Sequence, residues 1–108
     1  MDKDKLYLRH IVEAVEKIRR YTKGLTLDAF KADTLVQDGV VRELEIIGEA
    51  ARMVSEATKK SHSDIRWYEI AGMRNRLIHE YFGVDLDVVW KTVAEDLHIL
   101  LERFDTNE

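Results

Sequence analysis

The chain has 108 residues, of which 45% are hydrophobic and 35% are charged, and its formal net charge is −4 at pH 7. This predicts one soluble globular domain with a single modest core. The absence of cysteine excludes disulfides and thiolate metal sites. With no long apolar run and no signal-peptide pattern, we expect a cytoplasmic protein without a membrane span. The acidic balance argues against a protein that coats nucleic acid without sequence specificity. Any contact with a nucleic acid must therefore be made by a local basic patch, such as Arg66, Arg74 and Arg76.

The first predicted helix covers residues 4–21, where apolar residues recur at intervals of three and four, as on one face of an amphipathic helix. The residues of this face are Leu8, Ile11, Val15 and Ile18. Gly24 is a typical helix stop. Thr26 is a suitable cap for a short helical turn that ends near Phe30.

A long second helix is predicted over residues 34–58. Its main apolar stripe consists of Val36, Val40, Leu44, Ile47, Ala51 and Val54. A second, weaker stripe consists of Val41, Ile46, Ala50, Met53 and Ala57. Two apolar faces place a helix at the centre of its own bundle or against a partner subunit. Glu45 and Glu49 are candidates for a catalytic role. The simpler role for each is a salt bridge to Arg42, Arg52 or Arg74.

Residues 59–64 form a polar connection after this helix. Ser63 or Asp64 would cap the turn that leads to Trp67, because short polar side chains accept hydrogen bonds from the first free amides of a helix. His62 lies in the same connection and is expected to be exposed to solvent.

The next helix should end at Gly83, and either Asp85 or Asp87 would cap a last helix. The inner face of that helix is Val89, Trp90, Val93, Leu97, Leu100, Leu101 and Phe104. Strand-like alternation and internal repeats are both missing from the sequence. The predicted fold is therefore all-α, an antiparallel four-helix bundle with a short extra helical turn, in one domain over residues 1–108.

Reactive side chains are concentrated between residues 74 and 81. Arg74 can hold phosphate oxygens with a permanent, planar set of donors, and His79 can transfer protons near neutral pH. A phosphate holder and a proton shuttle are the minimum for cleaving RNA without a metal. An arginine and a histidine at this spacing also occur in helical proteins for structural reasons, so the pair alone does not define a nuclease.

The helical register sets Arg74 apart from its neighbours. At about 100° per residue it falls in the middle of an apolar stripe, where a guanidinium is costly without a partner or a ligand. That stripe is Trp67, Ile70, Ala71, Leu77, Ile78 and Tyr81. Arg74 and His79 project about 140° apart, whereas Asn75 and His79 share a face. Either the length of the arginine side chain or a second copy of the motif in a dimer must bring the two groups together.

A metal site is a weaker interpretation of the sequence. Glu95 and His98 have the spacing of half a di-metal site in a helix bundle, but the second Glu-x-x-His that such a site needs is missing. The sequence also contains no glycine-rich phosphate loop and no serine or cysteine nucleophile in a recognisable setting. We therefore expect neither a metal nor a cofactor.

The segment from Ile70 to Tyr81 resembles the signature of HepT-type toxin ribonucleases, the R-x4-H-x-Y branch of the HEPN superfamily. Two flanking segments, residues 45–51 and residues 84–90, also resemble this family, so the similarity covers most of the chain. One departure is visible, because relatives often carry prolines just before the tryptophan and residues 61–67 contain none. This departure affects a turn and leaves the proposed site residues in place.

The resemblance implies a metal-independent endoribonuclease, in which a ribose 2′-hydroxyl attacks the adjacent phosphate and leaves a cyclic phosphate. His79 would be the general acid or base, Arg74 would hold the scissile phosphate, and Asn75 would orient the imidazole or the substrate. Tyr81 matches the family tyrosine that accepts AMP. Its alternative role is in the core, because it continues the apolar stripe.

The resemblance also implies partners for the chain. HepT toxins pair with a nucleotidyltransferase-fold antitoxin in toxin–antitoxin systems, and they form homodimers in which two motifs face a shared cleft. RNA would be the substrate. Two alternatives remain open: a non-catalytic HEPN module that binds a nucleotide or a protein partner, which the acidic balance favours slightly, and a purely structural dimeric bundle.

Overall fold

The computed structural model describes residues 3–79 and 85–104, and this part of the chain is helical, without a strand. Its elements are α1 (Lys3–Thr22), α2 (Leu27–Lys31), α3 (Thr34–Met53), α4 (Glu56–Ser61), α5 (Trp67–His79), α6 (Leu86–Lys91), a π-helical turn (Thr92–Asp96) and α7 (His98–Phe104). The all-α prediction is confirmed, with two short helices, α2 and α4, where one extra turn was expected. None of the helices described has the length and apolar character that crossing a membrane requires.

The first two helices follow the sequence pattern closely. Three of the four residues of the predicted apolar face of α1 are buried, Ile11, Val15 and Ile18, and Leu8 is half-buried. Gly24 has a φ of 77°, in the left-handed region that favours glycine, and α1 ends just before it. Thr26 caps α2 by accepting a hydrogen bond from the Ala29 amide at 3.1 Å. Phe30 is fully buried, and its ring centroid lies 5.2 Å from that of Trp90, so α2 packs against α6.

The long helix predicted over residues 34–58 is shorter in the structure, where α3 ends at Met53. Ser55 is extended and caps α4 by accepting a hydrogen bond from the Thr58 amide at 3.3 Å. The Asp4 carboxylate of α1 accepts hydrogen bonds from the Ser55 amide at 3.0 Å and from the hydroxyls of Ser55 and Thr58 at 2.5 Å each. We call this cluster of Asp4, Ser55 and Thr58 the Asp4 clasp. The prediction was wrong here because a contact from α1 stabilises the break, and local periodicity does not reveal such a contact.

The third helix is the centre of the fold, since α3 packs against both α1 and α5, and α7 packs against α1. Most of its main apolar stripe is at most 3% exposed, as predicted: Val40, Leu44, Ile47, Ala51 and Val54. The second stripe is less enclosed. Val41 and Ile46 are half-buried, and Met53 is 43% exposed. One side of α3 therefore retains apolar surface that this single chain does not cover.

The single last helix predicted from the sequence is interrupted. Asp85 caps α6, as predicted, by accepting hydrogen bonds from the amides of Asp87 at 3.0 Å and Val88 at 3.4 Å. The π turn that follows takes more residues per turn than an α-helix and so changes the direction in which the face of α7 points. The one-helix prediction was wrong at this point, because apolar spacing does not distinguish a π turn from an α turn. The predicted stop at Gly83 lies outside the described residues.

The connection between α4 and α5 is attached to α7. The Asp64 carboxylate accepts hydrogen bonds from both terminal nitrogens of the Arg103 guanidinium, at 2.8 and 2.6 Å, and this pairing lowers the pKa of Asp64. His62 packs edge-on against Phe104 with ring centroids 4.9 Å apart, and it is half-buried, so the prediction of an exposed His62 was wrong. The Trp67 indole donates a hydrogen bond to the His62 carbonyl at 3.1 Å. We call the pairing of Arg103 with Asp64 the Arg103 anchor.

Candidate functional site

Three of the four predicted site residues lie on α5, which runs without interruption to His79. Arg74, Asn75 and His79 therefore share one helix, as the sequence predicted. The side chains of residues 74–79 and the whole of Tyr81 lie outside the described residues. The structure locates the first three by their helical positions, and the place of Tyr81 stays a prediction.

Buried side chains fix the rotation of α5 about its own axis. Trp67 is 5% exposed, and its ring centroid lies 5.8 Å from that of Phe104 in α7. Met73, almost two turns further along, is 8% exposed. Because α5 also packs along α3, one side of the helix faces the core and the other side is left open.

This fixed rotation assigns a side of the helix to each motif position. At about 100° per residue, Arg74 lies within about 20° of the buried Trp67. Asn75 and His79 lie within about 20° of Tyr68, which is 79% exposed. The arginine position is thus on the packed side of α5, and the asparagine and histidine positions are in register with its open side.

A carboxylate that the sequence analysis overlooked is buried on α3, the helix against which α5 packs. Glu43 is 6% exposed and is the one buried charged residue in the described part of the chain. Its signal in the sequence was its place within the main apolar stripe, three residues after Val40 and four before Ile47. Glu49 has the surface role that the sequence favoured, because its carboxylate lies 2.7 Å from the Arg52 guanidinium.

Two shallow depressions of opposite charge flank the start of α5. The first, of about 350 Å³, is lined by Tyr68, by three cationic side chains, Lys59, Lys60 and Arg66, and by two carboxylates, Glu56 and Glu69. The second, of about 360 Å³, lies between α5 and the π turn and shares Arg66 and Glu69 with the first. Its other acidic lining residues are Asp64, Glu95 and Asp96. Arg66 belongs to the basic patch expected from the sequence, and the side chains of the other two predicted members lie outside the described residues.

The described residues offer no group of three or more histidine, aspartate or glutamate side chains placed to hold a metal ion. His98, which was considered as half of a di-metal site, lies 3.7 Å from the Glu102 carboxylate one turn further along α7. The described part of the site consists of an arginine, an asparagine and a histidine position on one helix, next to a basic surface. Such a set can bind phosphate and transfer protons.

Comparison with known proteins adds to this geometry. The sequence model of the family described as Ribonuclease HepT-like matches residues 11–106. The chain is 46% identical over 99 residues to a protein of Thermococcus cleftensis named "Probable ribonuclease HepT", covering 92% of this chain and 90% of that protein. It is 41% identical over 91 residues to a protein of Caldanaerobacter subterraneus subsp. tengcongensis named as a "Putative RNase", covering 84% of this chain and 81% of that protein. No solved structure matches the chain at a significant level.

Proposed function

This chain belongs to the ribonuclease HepT-like family of the HEPN superfamily, and we propose that it is a metal-independent endoribonuclease that cuts RNA at a phosphate held by its α5 motif. The observation that carries this proposal is the family match over residues 11–106, which includes the whole motif. The uninterrupted α5 supports it, because it fixes the relative positions of Arg74, Asn75 and His79.

The proposed reaction is an internal transfer at phosphorus. The ribose 2′-oxygen forms a bond to the adjacent phosphorus, the bond from phosphorus to the 5′-oxygen breaks, and a cyclic phosphate remains. A base takes the proton of the 2′-hydroxyl, and an acid supplies a proton to the departing 5′-oxygen. Arg74 would neutralise the charge that develops on the phosphate oxygens. His79 would transfer one of the protons, and Asn75, one turn earlier, would orient its imidazole or the substrate.

We propose that the active form is a homodimer in which two copies of the motif share one cleft. On a single helix the Arg74 and His79 positions project about 140° apart. One copy of the motif therefore directs both side chains at the same phosphate only if the arginine side chain extends far around the helix. Two copies would also supply two histidines for the two proton transfers. The partly exposed second stripe of α3, including Met53 at 43% exposure, provides apolar surface for such an interface.

The family resemblance further suggests pairing with a nucleotidyltransferase-fold antitoxin, which would attach AMP to Tyr81. Modification there would add negative charge and bulk two residues after His79, beside the place where the substrate phosphate must bind. A second candidate function is a binding module that captures a nucleotide or a partner without cleavage. The net charge of −4 favours this second candidate.

RNA cleavage by the purified chain tests the proposal. His79→Ala and Arg74→Ala should each reduce cleavage by about 10²-fold or more, the usual effect of removing a general acid or base or a charge-stabilising group. His10→Ala is the matched control, because His10 is an exposed histidine on α1, and this variant should keep full activity. Cleavage should persist in EDTA and yield a cyclic phosphate end.

Full activity of His79→Ala, or loss of activity on chelation, would contradict the proposed chemistry. Thermal melting of each variant separates loss of chemistry from loss of fold. If the folded wild-type chain binds nucleotide or RNA but does not cut RNA, the binding-module function takes the place of the proposed one.

A further inference from the structure

An exposed aromatic ring stands at the start of the motif helix. Tyr68, the second residue of α5, is 79% exposed. The Lys59 ammonium lies 5.9 Å from the centroid of its ring, within the range of a cation–π contact. Lys60 and Arg66 line the same depression. We call the set of Lys59, Lys60, Arg66 and Tyr68 the Tyr68 surface.

The positive charges of the Tyr68 surface are only loosely neutralised by protein carboxylates. The Arg66 guanidinium lies 3.4 Å from Glu69, and both side chains are more than 60% exposed. The Lys59 ammonium lies 3.7 Å from the Glu56 carboxylate. An exposed ion pair such as that of Arg66 with Glu69 contributes little to stability, so a phosphate can replace the Glu69 carboxylate at small cost. The Lys59 side chain is only 13% exposed, and its ammonium remains beside Glu56 and the Tyr68 ring.

The Tyr68 surface is aligned with the catalytic positions of α5. Tyr68, Gly72, Asn75 and His79 follow one another at intervals of four, three and four residues, and therefore lie along one stripe of the helix. Among the described residues, no side chain lies within 4 Å of a Cβ atom built at Gly72, so none of them covers the stripe next to Tyr68 at this position. Tyr68 and His79 are separated along the helix axis by roughly 16 Å, a distance that a few nucleotides can span.

We propose that the Tyr68 surface is a binding subsite for single-stranded RNA. A base stacks on the Tyr68 ring, and Lys60 and Arg66 hold the flanking phosphates, a few nucleotides away from the bond that is cut. Stacking on an aromatic ring beside cationic side chains is the common way in which proteins hold unpaired RNA. The position of the subsite relative to the cleaved bond rests on the proposed ribonuclease function.

The charges that line the two depressions beside α5 also favour one path for a bound RNA strand. The second depression, between α5 and the π turn, is lined by one cation, Arg66, and by four acidic residues, so its negative balance disfavours phosphates: Asp64, Glu69, Glu95 and Asp96. RNA that reaches the motif along the start of α5 is therefore directed over α4 and the Tyr68 surface.

Direct binding of a short, unpaired oligoribonucleotide tests the subsite. The measurement is made in a His79→Ala background, so that no RNA is cut. Tyr68→Ala should weaken binding by about 5- to 150-fold, the range measured for loss of one stacked base, and Tyr68→Phe should keep nearly full affinity because it keeps the ring. Leu35→Ala is the control for loss of an exposed apolar side chain, since Leu35 is 83% exposed on α3. Lys60→Ala should lower the slope of log Kd against log salt by about 0.7.

Cleavage kinetics separate the subsite from the proposed function. In the otherwise wild-type chain, Tyr68→Ala should raise KM and leave kcat unchanged, because the lost contact is remote from the reacting atoms. If the wild type cuts RNA and Tyr68→Ala binds and cuts equally well, the subsite is refuted and the nuclease function stands. If the wild type does not cut RNA but binds it through Tyr68, the nuclease function fails and the subsite stands. If Tyr68→Ala separates a dimer into monomers without RNA, the ring is a subunit contact and the subsite proposal is overturned.

Discussion

Replacing Asp4 with alanine should destabilise the whole bundle, although Asp4 lies in the first turn of α1. Its carboxylate accepts hydrogen bonds from the Ser55 amide and from the hydroxyls of Ser55 and Thr58. A hydrogen bond to a charged group contributes about 1.5–3 kcal/mol when it is shielded from water. The clasp is largely exposed, so solvent competes for each bond. We therefore expect a total loss of about 1–2 kcal/mol in the free energy of unfolding, or about 4–8 °C in Tm for each kcal/mol.

A double-mutant cycle measures this clasp directly. Ser55→Ala removes the cap of α4 and should cost about 0.5–2 kcal/mol. If Asp4 and Ser55 stabilise each other, the double variant should be more stable than the sum of the single effects predicts, by about 1 kcal/mol. Asp38→Ala, at an exposed aspartate on α3, should change stability by less than about 0.5 kcal/mol. Additive effects of Asp4→Ala and Ser55→Ala would refute the clasp.

The same variant has a defined pH dependence. The hydrogen bond from the Ser55 hydroxyl, followed by that from Thr58, lowers the pKa of Asp4 below its ordinary value of 3.8. A carboxylate whose pKa is lowered by folding stabilises the protein above its unfolded pKa, and this stabilisation is lost as the pH falls through its folded pKa. The stability difference between wild type and Asp4→Ala should therefore be complete at neutral pH, begin to fall near pH 3.8, and be lost as the pH drops through the lower pKa of Asp4 in the folded protein. A difference that grows on acidification would contradict this assignment.

Two further predictions concern assembly and regulation. Sedimentation should show a homodimer at micromolar concentration. Met53→Glu places a charge on the partly exposed second stripe of α3 and should weaken the dimer, whereas Leu6→Glu at an exposed position of α1 should not. A monomer at all concentrations would contradict the shared-cleft proposal. Tyr81→Phe should remain folded and active but escape inactivation by a nucleotidyltransferase partner supplied with ATP, since it lacks the acceptor hydroxyl. Equal inactivation of Tyr81→Phe and wild type would return Tyr81 to a core role.

The sequence predicted those parts of the fold whose causes are local. The end of α1 at Gly24, the Thr26 cap and the Asp85 cap each depend on residues within one helical turn, and the structure contains all three. At the break after α3, Ser55 is bound by Asp4, which lies 51 residues earlier in the chain. The burial of His62 depends on packing against a ring in α7. Periodicity within a segment cannot report contacts of such long range.

In the candidate site, too, the sequence predicted what depends on local helical register and missed what depends on contacts between distant segments. The separation of the Arg74 and His79 positions by about 140° follows from helical register alone. The structure describes α5 as a helix through both positions, and the joint role of the two side chains stays a prediction. Glu43 was missed because a glutamate within an apolar stripe looks like an ordinary exception until its burial is known. The Tyr68 surface combines α4, the following connection and α5. No single segment of the sequence indicated that Lys59 and Tyr68 would meet.

The Arg103 anchor has a consequence for the kinetics of folding. Arg103 and Asp64 are 39 residues apart in sequence, so the chain must close a long loop before they can pair. We expect such an exposed, long-range contact to form after the rate-limiting step, where it slows unfolding and does little to speed folding. The anchor should then contribute to how long the start of α5 stays fixed in place once the protein has folded. The lifetime of the motif helix in its folded position is thus set partly by a side chain of α7.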